Sequence, residues 1–74
     1  MDAVSGLLIS VINRQLKDRY PGPHGPRYWL LDVDGKVVVR GWRMDETGRP
    51  TGEHLAVCRT VGDALIWINA HKSR

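Results

Sequence analysis

A chain of 74 residues with a single cysteine and a formal charge of +3 fits one small domain, and a domain of that size buries only about 60% of the surface its unfolded form exposes. That leaves little room for a substrate cavity with its own acid and base, so catalysis is not expected. Cys58 cannot form an internal disulfide, and with three scattered histidines it offers no metal-ligand spacing; no cofactor is expected, and a reducing cytoplasm suits the chain.

The first element is an amphipathic helix over residues 3–18. Asp2 is its N-cap, and Val4, Leu7, Leu8, Val11, Ile12 and Leu16 recur at helical spacing. Ile9 falls off that stripe, while Asn13, Arg14 and Lys17 mark the wet side. The apolar run 4–12 is too short to span a bilayer and follows no basic leader, so neither a membrane span nor export is expected. Pro21 ends the helix, and PGPHGP, residues 21–26, is an extended connector poor in hydrogen bonds, with His24 exposed within it.

Residues 27–33 and 36–44 are two strands joined at Asp34-Gly35. An Asp-Gly pair between apolar runs is a strong hairpin signal, because a type I′ turn needs positive φ at both central positions. The turn sets the register: Val33 opposes Lys36, Leu31 opposes Val38, Trp29 opposes Arg40 and Arg27 opposes Trp42, all on one face. Tyr28, Leu30, Asp32, Val37, Val39, Gly41 and Arg43 occupy the other. Both faces are more apolar than a half-solvated sheet requires, so the second must meet the first helix, a second copy or a partner. The Trp29, Arg40, Trp42 and Arg27 cluster is the candidate contact surface; its alternative is a core face under a helix, with arginines snorkelling at its edge.

A polar loop with two glycines, residues 45–53, leads to a third strand at 54–59, where Leu55, Val57 and Arg59 share one side and His54, Ala56 and Cys58 the other. Cys58 is expected as a small buried hydrophobe. Thr60 then caps a helix over 61–71, with Asp63 in capping-box position and Val61, Ala64, Leu65 and Ile68 as its buried stripe. Trp67 flanks that stripe, and His71 lies at its edge.

Residues 1–27 carry a balance of +2, residues 28–53 one of −1 and residues 54–74 one of +2. A sheet that enters a DNA groove would ordinarily concentrate positive charge, and this one does not. No phosphate-cradling glycine loop, paired Cys or His motif or nucleophile elbow occurs. Asp32 and Asp34 suit turn chemistry. The combination of aromatic residues and arginine is of the kind enriched at interface hot spots, which leaves binding as the expected activity.

The order strand, Asp-Gly hairpin, strand, loop, strand, followed by Thr60, Ala64, Trp67 and Ile68 in a helix, resembles the arm-type DNA-binding domains of tyrosine recombinases over residues 27–71. That resemblance implies a three-stranded sheet in a major groove, with Arg27, Arg40, Arg43 and Arg49 on phosphates or guanine edges. The extra N-terminal helix, the lack of a following recombinase body and the non-basic sheet depart from that pattern. In size and architecture the chain also looks like small stand-alone anti-CRISPR proteins of phages and prophages. This likeness implies a non-enzymatic inhibitor that binds a host protein or ribonucleoprotein complex.

The expected fold is therefore α+β: an N-terminal helix, a three-stranded antiparallel sheet and a C-terminal helix across one face, with the first helix sharing that face or covering the other. The expected function is inhibitor-type docking on a host complex through Trp29, Arg40, Trp42, Arg43, Asp45, Glu46 and Arg49. The alternatives are a DNA-binding module acting through the same sheet and a self-associating accessory protein, as a homodimer, that buries its second face in a two-fold interface.

Overall fold

The computed structural model describes residues 3–72 and confirms the α+β architecture. Helix α1 (Ala3–Arg19) leads into a short pair of bridges, β1 (Pro21–Gly22) and β2 (Gly25–Pro26). The main sheet follows as β3 (Tyr28–Val33), β4 (Lys36–Met44) and β5 (Pro50–Cys58), antiparallel in that order, and α2 (Val61–Lys72) closes the fold. The expected cap at Asp2 lies outside the described residues, as does the side chain of Val4.

The Asp-Gly turn does what its chemistry demands. Asp34 and Gly35 both have positive φ, 53° and 77°, and the register follows: Val33 opposes Lys36, Leu31 opposes Val38 and Trp29 opposes Arg40. Arg27 is the exception, because β3 begins at Tyr28. The Arg27 N–H donates to the Tyr20 carbonyl at 2.8 Å, tying it to the end of α1. Trp42 instead donates its indole N–H to the Pro26 carbonyl at 3.0 Å. The connector is not simply extended: it folds back on itself with Pro21 opposite Pro26 and Gly22 opposite Gly25, although the prolines bring no N–H to the pairing. Gly25 turns this small hairpin at φ 125°, a conformation closed to most side chains.

Both helices pack on the same face of the sheet. The core there consists of Tyr28, Leu30, Val37 and Val39 from the strands, Ile9 and Leu16 from α1, and Ala64 and Ile68 from α2. Leu16, Leu30, Val39 and Ile68 are the largest fully buried side chains. Each contributes roughly 1.5–3 kcal/mol of burial.

The buried side of α1 differs from the expected stripe. Ile9 and Leu16 are buried, Ile12, Asn13 and Tyr20 are half-buried, and Leu7, Leu8 and Val11 are exposed. The helix is turned by about one residue step, roughly 100°. The reason lies in the sheet edge. Leu30 presents its backbone N–H and C=O away from β4, and the Asn13 amide meets both, accepting from the N–H at 2.6 Å and donating to the carbonyl at 2.9 Å. A buried edge strand needs those partners more than the helix needs a further apolar contact.

The third strand starts four residues earlier than expected, at Pro50, and ends at Cys58. The loop shrinks because Asp45 organises a tight turn. Its carboxylate accepts from the N–H of Thr47 and of Arg49, both at 2.9 Å, and from the Thr47 hydroxyl at 2.7 Å. Gly48 supplies the positive φ, 81°, so pairing resumes at once with Met44 opposite Pro50. A bulge opposite Val39 and Arg40 shifts the register of β5, and Leu55 turns in to pack on the core beside Ala56 and Cys58, rather than outward with Val57.

Thr60 caps α2 as expected, accepting from the Asp63 N–H at 3.1 Å. Ala64 and Ile68 are buried, with Val61 and Leu65 packed beside them. His71 sits at the edge of this packing, where its Nδ1 meets the Tyr28 hydroxyl at 3.0 Å and its ring stacks on Trp67 at 4.6 Å.

Candidate functional site

Because α1 and α2 share one face, the other face of the sheet has no layer over it among the described residues. By register it carries Trp29, Leu31 and Val33 from β3, Lys36, Val38, Arg40, Trp42 and Met44 from β4, and Gly52, His54 and Val57 from β5. Its apolar side chains are open to solvent: Leu31, Val33, Met44 and Val57 are all exposed, and Val57 is 60% accessible. Val38, between its cross-strand neighbours Leu31 and Val57, is the exception at 3%. Exposed apolar residues contiguous over three strands mark an interaction surface more often than scattered single ones do. The core alternative for the Trp29–Trp42 cluster does not hold, since neither helix reaches it.

The tryptophans and Arg40 form one unit at the far end of this face. Trp29 and Trp42 lie with ring centroids 4.9 Å apart at 54°, and Trp42 is held by its bond to Pro26 and flanked by His24 at 6.2 Å. The Arg40 guanidinium carbon lies 6.0 Å from the Trp29 ring centre. Gly52, from the neighbouring strand, leaves the space that Arg40 uses: a Cβ there would come within 2.7 Å of Nη2 of Arg40 and 3.3 Å of the Trp29 ring. The Arg40 Nε is buried and has no hydrogen-bond partner among the described residues. An unsatisfied donor on a charged group is costly, so this arrangement holds a cation ready without completing it.

The remaining expected contact residues are not gathered with this unit. Arg43 follows the parity of Val39 and Gly41, on the opposite side of β4, and is exposed there. Asp45 is occupied in its own turn, which holds its carboxyl below the ordinary value of 3.8, chiefly through the Thr47 hydroxyl and the Arg49 N–H. Glu46 and Arg49 are exposed on the same turn. Arg27 lies at the β2–β3 junction, its guanidinium 6.0 Å from the Tyr28 ring. Of the four arginines of the DNA-binding alternative, Arg43 and Arg49 therefore lie near each other at the β4–β5 turn, while Arg40 is on the open face and Arg27 at the β2–β3 junction.

A cavity of about 460 Å³ opens where the small hairpin meets the sheet, with Trp42, Tyr28, Leu55, Arg27, Glu53 and His71 among its walls. It extends the tryptophan end of the open face around the edge of the sheet. Among the described residues no three His, Cys, Asp or Glu side chains stand where they could hold a metal ion. Cys58 is half-buried, and burial, reinforced by Asp63, pushes its thiol up, away from the reactive thiolate. No helix among the described residues is long and apolar enough to cross a membrane.

Neither a protein-family model, nor a curated protein, nor a solved structure matches this chain.

Sequence reasoning missed Gly52 and Asn13. The glycine has no signal until β5 is known to start at Pro50 and to place it beside Arg40. Asn13 could have been noticed as an amide among apolar residues at positions 9, 12 and 16.

Proposed function

We propose that this chain is a non-catalytic binding protein that docks by the open face of its sheet onto a host protein or nucleoprotein complex, as a small phage-type inhibitor of the anti-CRISPR kind would. The observation that carries this reading is an aromatic and aliphatic sheet face, Trp29, Leu31, Val33, Trp42 and Val57, that neither helix covers. Tryptophan and arginine, which this face carries at one end, are the residue types that dominate binding energy at protein interfaces. The DNA-binding alternative is weaker because its four arginines do not line one surface, Arg43 and Arg49 lying at the β4–β5 turn away from Arg40 on the open face, and a duplex needs several cations along one track.

The test compares capture from host lysate by the native protein, by Val57→Glu on the open face and by Ile66→Glu on α2, where Ile66 is 70% exposed on the helical side. A partner retained by the native chain and by Ile66→Glu but lost with Val57→Glu is expected. Loss with Ile66→Glu alone would refute the assignment of the face. Submicromolar binding of labelled duplex DNA that weakens steeply with salt would favour the nucleic-acid module instead.

A further inference from the structure

The geometry points to a partner that brings a carboxylate: we propose that the segment seated on the open face carries an Asp or Glu side chain flanked by apolar residues, and that this acid pairs with Arg40. The inference rests on the open face being the docking surface and adds the chemistry of what it takes. Arg40 lies on the central strand between Trp29 and His54, with Trp42 two residues along on one side and, on the other, Val38 with its cross-strand neighbours Leu31 and Val57. Its Nε is already stripped of water and has no acceptor among the described residues. Trp29 on one side and the missing side chain of Gly52 on the other fix where its guanidinium can lie. An arginine held in this way presents its planar fork with less conformational freedom left to lose, which suits bidentate binding of a carboxylate.

The composition of the face selects among occupants. None of the strand residues that the register places on it is acidic: Asp32 and Glu53 belong to the helix-covered side and Asp34 to the turn. A second copy stacked face to face would bring another Arg40 and no acid, burying two unpaired cations, which is strongly unfavourable. A nucleic-acid backbone would find only Arg40 and Lys36 as cations among exposed leucine and valine side chains, too few phosphate contacts for a track. A protein segment that brings one carboxylate to the half-buried Arg40 guanidinium within an apolar contact satisfies both that cation and the aromatic and aliphatic surface beside it.

The probe is a random peptide display library panned on the immobilised native protein, with enriched peptides resynthesised with a fluorophore for anisotropy. Enriched peptides are expected to share an Asp or Glu among aromatic or aliphatic residues. Changing that acid to its amide, or Arg40→Gln in the protein, should each weaken binding by on the order of tenfold or more, and the two changes together should cost little more than either alone. Arg43→Gln and Arg49→Gln should leave affinity unchanged, with circular dichroism confirming that every variant folds. Peptides that depend on Val57 and Trp42 but are indifferent to Arg40→Gln and to loss of the acid would overturn the carboxylate inference while leaving the face as a docking surface. An enrichment that yields no peptide sensitive to Val57→Glu would overturn both. Arg40-dependent displacement of the peptides by duplex DNA at physiological salt, or a dimer that Val57→Glu dissolves, would also overturn the inference by naming a different occupant.

Discussion

Replacing Asn13 by alanine removes the clamp between α1 and the edge of the sheet. Two hydrogen bonds, at 2.6 and 2.9 Å, disappear from the Leu30 backbone, and Leu30 is fully buried, so water has poor access to the groups left behind. Each net hydrogen bond is worth about 1 kcal/mol, and an orphaned buried backbone group adds about 1–3 kcal/mol, which places the expected loss at roughly 2–4 kcal/mol. For a domain of this size that corresponds to a melting point lower by about 10–25 °C. Urea and thermal unfolding followed by far-ultraviolet circular dichroism read it directly. Arg14→Ala, one residue along on the exposed side, is the control and should change stability by less than about 0.5 kcal/mol. A loss below about 1 kcal/mol at Asn13 would show that the clamp is dispensable and that α1 is oriented by its apolar contacts alone.

Gly41→Ala should destabilise by about 1–3 kcal/mol in the same assay, because its Cβ would come within 2.7 Å of the Leu55 side chain and 3.3 Å of the Arg27 carbonyl in a packed layer. Gly52→Ala should displace the Arg40 guanidinium, 2.7 Å from the new Cβ, and press on the Trp29 ring at 3.3 Å, so binding through the open face should weaken while the melting point falls less than with Gly41→Ala. Thr60→Ala, which strips the cap from α2, should cost about 1 kcal/mol by urea denaturation. Because the folded Asp45 carboxyl titrates below its ordinary value of 3.8, the unfolded chain takes up its proton first as pH falls. Its contribution is thus complete above that ordinary value and is lost as pH drops through the lowered one; a urea midpoint measured against pH should lose part of its acid dependence in Asp45→Asn.

Local chemistry was legible wherever one residue type admits one conformation. Asp34-Gly35 dictated the turn and, with it, which residues share each face of the β3–β4 hairpin. Thr60 announced α2, and Pro21 ended α1 within two residues of where it stops. The failures have a common cause in demands set by distant parts of the chain. Leu7, Leu8 and Val11 looked like a core stripe, yet the unpaired edge of β3 recruits Asn13 and rotates the helix away from them. Leu55 lies inward because of a bulge that no local signal marks. The 45–53 stretch seemed too polar to pair, although Asp45 ties up its turn in five residues and frees Pro50 to begin a strand. Of the candidate site, the Trp29, Arg40 and Trp42 unit and the place of Arg43 on the opposite face were readable from register alone, whereas the separation of Arg27 was visible only once β3 was seen to start at Tyr28.

Methyl-resolved nuclear magnetic resonance of the protein, alone and with its captured partner, tests the central claim most directly, since the two sides of the fold carry different exposed methyl groups. Shifts and broadening are expected at Leu31, Val33 and Val57 on the open face, with Leu7, Val11 and Ile66 on the exposed helix surfaces unchanged. The reverse pattern, perturbation of the helix methyls with the open face silent, would contradict the assignment of the uncovered sheet as the binding surface.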